Sequence, residues 1–288
     1  MHRLLSILQL LPAELKNILV TEIHEYGMIP EEIRIRLGET VCMRFANGDY
    51  FSQSGAVTAA QLRHLMMNAT NGAFHTAVET MENGYIALPS GGRMGICGKG
   101  EKGLRNIRCI SSVCIRIPRQ VIGCADSLYA ELTSNGFENT LIIAPPGIGK
   151  TTLLRELIRK LSNNGYYVCV ADERGEISGR QGTAEGFDLG TRCDVCVGIP
   201  KQQAAMMMLR SMGPHILAMD EITALKDLET MTEAIGCGVG LLTTMHGEGI
   251  ASVKKPAFRA IYDSRAFRHA VIIRAEQGKR VYHVEEIA

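Results

Sequence analysis

The stretch TLIIAPPGIGKTTLLREL, residues 140–157, changes character twice within a few residues. Thr140 to Ala144 reads as a short apolar strand, the next residues as a tight turn rich in proline and glycine, and Leu153, Leu154 and Leu157 as one side of a helix. Strand, glycine turn and helix in that order make a phosphate loop. Gly147 and Gly149 let backbone amides turn inward around phosphate oxygens, and the helix N-terminus adds its partial positive charge. Lys150 brings an ammonium to the β- and γ-phosphates, and the Thr151 hydroxyl suits Mg²⁺. The expected ATP cradle runs through Ala144, Pro145, Pro146, Gly147, Ile148, Gly149, Lys150, Thr151 and Thr152. Ala144 stands where the pattern usually has glycine, a position that a small residue fills. A dinucleotide loop is the rival reading, but it calls for a third small residue where Thr152 stands and has no use for Lys150.

Hydrolysis needs carboxylates at neighbouring strand ends. HILAMDEI, residues 215–222, ends an apolar run in Asp220 and Glu221. Asp220 suits the outer shell of Mg²⁺, and Glu221 suits polarisation of the attacking water. VGLLTTMHG, residues 239–247, is a further strand emptying into polar residues, from which Thr244 or His246, with His246 preferred, would report the γ-phosphate by hydrogen bonding. VADERGEI, residues 170–177, adds a second acidic group after its own apolar run. Asp172 and Glu173 should emerge at the same sheet edge, where unpaired carboxylates near ATP are costly. Either they help hold Mg²⁺ and its waters, or Glu173 and Glu176 pair with Arg174, Arg180 or Arg192.

Working outward, residues 138–288 alternate short apolar runs with helical segments, the pattern of a mostly parallel α/β sheet covered on both faces. Strands are expected at 140–144, 167–172, 215–220, 239–244 and 270–274, helices near 150–163, 201–212 and 224–236, and a terminal hairpin turning at Gly278. Residues 1–137 read as a smaller α+β domain. It has a helix from about 12 to 25 and a meander in which Ile33, Ile35 and Leu37, then Val41, Met43 and Phe45, alternate with polar residues. A capping box at Thr58 and Gln61 starts a second helix, another is expected around 74–82, and a glycine-rich hairpin and a strand ending at Pro118 follow.

The 288 residues are 46% hydrophobic, enough for a sizeable core, and Lys plus Arg at 31 nearly balance Asp plus Glu at 30. That balance, with no Trp and no aromatic-basic interleaving, argues against a nucleic-acid motor. Pro12, Glu14 and Lys16 interrupt the apolar start, which reads as neither signal peptide nor transmembrane helix. The nine cysteines read as thiols of a reducing compartment, and the Cys193-x-x-Cys196 spacing reads as two strand-edge thiols in preference to a redox pair or half a zinc site. The Met-rich AAMMMLRSMG, residues 204–213, reads as a buried helix in preference to a partner surface.

In order along the chain, the blocks IPEEIRIRLGE, ENGYIALPSGGRMGICGKG, ISSVCIRI, APPGIGKTTLLREL, VADERGEI, VGIPKQQAAMMMLRSMGPHILAMDEI and LLTTMHG resemble the stage III sporulation protein AA family. These ATPases of endospore-forming bacteria are similar in turn to the ring-forming ATPases of type II and type IV secretion. The resemblance implies a RecA-like ATPase core and a homo-hexameric ring. It places the protein on the mother-cell side of the membrane around the forespore, peripheral to it, with membrane proteins of a sporulation channel as partners. It also implies an acidic box at Glu173 and Glu176 and a His box at His246, giving Glu221, Lys150, Glu173 and His246 as the catalytic set and Thr151 and Asp220 as the Mg²⁺ set. A trans-acting arginine is expected in a ring, with Arg93, Arg116 and Arg119 as candidates. Cys193, Cys196 and His215, and VKKPAF in place of an Arg-Pro, depart from the pattern. An ATP-binding assembly scaffold with little turnover is the alternative function.

Overall fold

The computed structural model describes residues 2–72, 84–88, 93–100, 107–117, 119–179, 186–223, 225–276 and 279–287. Backbone contacts divide the chain into two units, one containing Met1–Arg119 and the other containing Gln120–Ser178 and Gly186–Ala288. The helix expected around 74–82 and the turn at Gly278 lie outside the described residues.

The first unit begins with helices α1 (His2–Leu8) and α2 (Ala13–Tyr26). Pro12 enters α2 and Gly27 leaves it at φ 70°, a left-handed cap that accommodates glycine without strain. Strands β1 (Glu32–Arg36), β2 (Cys42–Phe45), β3 (Gly48–Phe51), β4 (Tyr85–Ala87), β5 (Arg93–Gly100) and β6 (Ile107–Arg116) form an antiparallel sheet in the order β3-β2-β1-β6-β5-β4. The capping box is present, with Thr58 and Gln61 starting α3 (Ala59–Ala69). Ile33, Ile35, Val41, Met43 and Phe45 point into one core. Leu37 does not share it and is 47% exposed, because β1 stops at Arg36 and Leu37 lies past its end, bridged to Val57 and bonded through its amide to the Ser111 carbonyl.

The second unit is a seven-stranded sheet built from β7 (Thr140–Ala144), β8 (Val168–Asp172), β9 (Cys193–Val197), β10 (Ile216–Met219), β11 (Gly240–His246), β12 (His269–Glu276) and β13 (Lys279–Glu286). Their order is β13-β12-β7-β11-β10-β8-β9, and all neighbours are parallel except the β12–β13 hairpin. Parallel strands buried on both faces need apolar residues in both alternations, and β7 shows how. Leu141 and Ile143 face one core with α6 (Lys201–Ser211) and α7 (Leu225–Gly236), whereas Ile142 and Ala144 face the other with α4 (Asp126–Leu132) and α5 (Lys150–Asn163). Leu128 and Leu132 of α4 join that second core, so residues grouped by sequence with the first domain pack with the sheet that carries the phosphate loop. Two short helices, α8 (Ile250–Val253) and α9 (Arg259–Asp263), precede β12 and were not legible in the sequence.

Cys193 and Cys196 sit on the edge strand β9 three residues apart, which puts them on opposite faces. Cys193 packs with the α5 side and Cys196 with the α6 side, so the spacing brings no two thiols together. Helix α6 is buried on one face only. Ala204, Ala205 and Met208 meet the core while Met207 and Met212 are about half exposed, so the Met-rich segment is amphipathic instead of wholly buried.

Helix α5 does more than start at the phosphate loop. Its buried Arg155 donates from Nε to the Ile177 carbonyl at 2.7 Å and from Nη2 to the Glu176 carbonyl at 2.8 Å, with the guanidinium 3.8 Å from the centroid of Phe187. Arg155 thereby ties the acidic segment after β8 to the helix after β7. Replacing it by leucine leaves carbonyls without these donors, so Arg155→Leu is expected to lower stability by about 3 kcal/mol, read from the midpoint of denaturant unfolding.

Candidate functional site

The parallel order β7-β11-β10-β8 brings four strand ends to one edge of the sheet: Ala144, His246, Met219 and Asp172. Loops leaving a shared carboxyl edge converge there, the usual location of a ligand on such a sheet. The phosphate loop leaves β7 with Ala144 buried and Pro146 and Gly147 exposed to solvent. Gly147 and Gly149 have φ of 79° and 110°, values that only glycine adopts readily. A Cβ on Gly149 would also lie 3.2 Å from the Arg280 guanidinium carbon.

Lys150 is buried, and its ammonium donates to the carbonyls of Ala144 at 3.0 Å and Pro145 at 3.2 Å. Burial pulls Lys150 below its ordinary pKa, with Asp220 and Glu221 pulling the other way. The third partner of the ammonium is Nδ1 of His246, at 2.9 Å. An ammonium can only donate, so Nδ1 accepts and the ring hydrogen belongs on Nε2, which donates to Glu221 Oε1 at 3.0 Å. Lys150, His246 and Glu221 thus form one chain of donors and acceptors.

Asp220 organises the other half of the site. Thr151 Oγ1 donates to its Oδ2 at 2.8 Å, and the Glu221 amide at 3.0 Å and the Thr244 hydroxyl both donate to its Oδ1. Thr244 Oγ1 also accepts from the Glu221 amide at 2.9 Å. Thr244 is therefore a buried brace between β11 and the end of β10, while His246 is the residue of that strand that reaches the phosphate-loop lysine. Glu221 adopts φ 49°, a left-handed conformation costing a non-glycine residue about 1–2 kcal/mol, and the surrounding bonds hold it there.

The acidic segment after β8 divides. Asp172 is buried and accepts from Ile177 N at 3.1 Å, Ser178 N at 2.8 Å and Ser178 Oγ at 2.7 Å, so its charge closes its own turn. Glu173 Oε2 accepts from Lys201 N at 3.3 Å, at the start of α6. Arg174 reaches Glu221 at 3.4 Å, a partly exposed pair worth little by itself. Arg192 donates to the Ser162 carbonyl, and Arg180 lies outside the described residues. Glu173, Arg174, Lys201, Glu221, Thr223 and Lys226 help line a cavity of about 300 Å³, and no phosphate-loop residue borders it.

Sequence reasoning missed Lys201 and Asp227. Lys201 opens α6 after Pro200, where a cation opposes the helix dipole, and that mismatch was the available signal. His215 lies at the far end of β10, accepting from Tyr167 N at 3.2 Å. The candidate trans arginines belong to the first unit, where Arg93 covers the Tyr85 ring, Arg116 is 3.5 Å from Glu32 and Arg119 is 3.8 Å from Glu31. Among the described residues, no helix is long and apolar enough to cross a membrane.

Among solved structures, the Legionella pneumophila ATPase DotB superposes with a TM-score of 0.62 at 15% identity, over 92% of this chain and 78% of that one. The pilus retraction motor PilT with bound ADP gives 0.61 at 15% identity, over 93% and 82%. At these identities the likeness is one of fold, an α/β RecA-like ATPase fold. Stage III sporulation protein AA of Bacillus subtilis (strain 168) is 36% identical over 284 residues, covering 94% of this chain and 91% of that protein. The family model for sporulation stage III, protein AA matches residues 1–285, and the chain belongs to that family.

Proposed function

We propose that the protein binds ATP at the phosphate loop and hydrolyses it to ADP and phosphate. The observation that carries this reading is the convergence of Lys150, Thr151, Asp220, Glu221 and His246 at one sheet edge through a continuous set of hydrogen bonds. The amides around Gly147 and Gly149 receive phosphate oxygens, and Lys150 leaves its carbonyl and imidazole acceptors to meet them. Glu221 orients and polarises the attacking water, and His246, bonded to both Glu221 and Lys150, senses whether the γ-phosphate is present.

The Thr151 hydroxyl and Asp220 carboxylate fit Mg²⁺, because they are hard oxygen donors already within hydrogen-bond distance of each other. Thr151 would bind the ion directly and Asp220 would hold its waters. Bound there, the ion would neutralise charge on the β- and γ-phosphates.

Within the family, hydrolysis would power a homo-hexameric ring on the mother-cell face of the membrane around the forespore, energising assembly of or transport through a channel whose membrane proteins are its partners. The relatives support this setting: a sporulation protein by sequence, and an ATPase and a pilus retraction motor by fold. An ATP-binding scaffold with little turnover is the second reading, favoured by the acceptors that Lys150 must give up before phosphate enters. ATPase rate measured against protein concentration, with and without the cytoplasmic parts of the membrane partners, separates the two. A motor turns over faster as it assembles, and a scaffold stays flat.

Glu221→Gln is expected to lower kcat by about 100-fold or more while nucleotide binding persists, and turnover equal to the wild type would remove Glu221 from catalysis. Gly149→Ala places a Cβ at φ 110° and against Arg280. Affinity for a fluorescent ADP analogue is expected to fall about 10-fold or more, with the fold retained by circular dichroism.

A further inference from the structure

Glu221 has its backbone gripped from both sides. Its amide donates to Thr244 Oγ1 and Asp220 Oδ1, contacts that belong to the strand ends already described. Its carbonyl accepts from the ammonium of Lys201, which also lies 3.4 Å from the Asp220 carbonyl. Lys201 is 8% exposed and its charge is met by Asp227 Oδ2 at 3.1 Å, a carboxylate that is 1% exposed. Asp227 is fixed in turn by Gln202 Nε2 at 2.6 Å and the Thr223 amide at 2.7 Å. Both residues flank the clamp, Gln202 next to Lys201 on α6 and Thr223 two residues beyond Glu221.

A buried lysine spending its hydrogen bonds on two successive backbone carbonyls has a geometric consequence. The peptide after Glu221 can rotate only by giving up the ammonium, so Lys201 holds the left-handed turn that aims the Glu221 carboxylate at His246. Glu173 accepts from the backbone amide of the same Lys201, at the start of α6. We infer that Lys201, backed by Asp227, is a positioning residue that sets the conformation of Glu221. The inference rests on Glu221 being the carboxylate that orients water.

Lys201→Met keeps an unbranched side chain one atom shorter and removes the donors. In the full chain its kcat is expected to fall about 10- to 100-fold, with the Kd for a fluorescent ADP analogue within about 3-fold of the wild type. In the Glu221→Gln background the same substitution should cost nothing further, because Lys201 acts through Glu221. Equal losses in both backgrounds, or an unchanged kcat in the single variant, overturn the inference. Hydrogen exchange on the nucleotide-free chain gives a reading independent of turnover. The amides of residues 221–223 should exchange at least about 10-fold faster in Lys201→Met, with other strands of the sheet unchanged. If wild-type protein hydrolyses no ATP, the proposed function fails and exchange alone decides: unchanged protection of 221–223 sinks the positioning role. If Lys201→Met does not fold, Asp227→Asn replaces it, with the same exchange pattern expected and unchanged exchange counting against the inference.

Discussion

The site depends on where the Asp220 carboxylate falls. One oxygen takes the hydroxyl of Thr151, which follows the phosphate loop, and the other takes the hydroxyl of Thr244 on β11 and the amide of Glu221. Three separate stretches of chain are therefore joined at a single charged group at the end of β10. Charge-assisted bonds of this kind are stronger than neutral ones, and a carboxylate held by several donors is also directionally fixed. The order β7-β11-β10 makes the arrangement available, because parallel neighbours end at the same edge and in fixed register, His246 beside Ala144 and Met219 beside Thr243.

Crowding carboxylates onto one sheet edge would be unfavourable if they faced each other unpaired. The structure distributes them among different donors. Asp172 is absorbed by the backbone of its own turn, Asp227 by Lys201, Gln202 and Thr223, and Glu173 by the first turn of α6. Glu221 faces His246 and Arg174. Asp220 meets Thr151 directly, and Glu221 reaches Lys150 through His246, so these two carboxylates are the ones joined to the helix start after β7.

Much of the second unit was legible because its signals are local. A strand, a glycine turn with Lys150 and Thr151, and a helix announce themselves within eighteen residues, since positive φ and an inward ring of amides demand glycine at set places. The strands ending at Asp172, Met219 and His246 were legible for a similar reason, as apolar runs with polar residues at one end. Leu37 and the two cysteines of β9 show the limit. Alternation predicts which way a side chain points only while the strand lasts, and a spacing of three on a strand separates the residues that a spacing of three on a helix would join.

By itself, then, the sequence determined the strand, glycine turn and helix of residues 140–157, the acidic strand ends and the parallel α/β texture, because each follows from backbone geometry and burial within a short window. It also carried, in its ordered blocks, the family to which the chain belongs. Only the tertiary structure decided which acid meets which donor. Lys201 lies twenty residues from Glu221 and Arg155 more than twenty from Ile177, and even the misplaced cation at the start of α6 does not say which carbonyl it meets. Those pairings arise when the helices α5 and α6 are laid on the sheet, and the cost of leaving a buried charge unsatisfied then makes them obligatory.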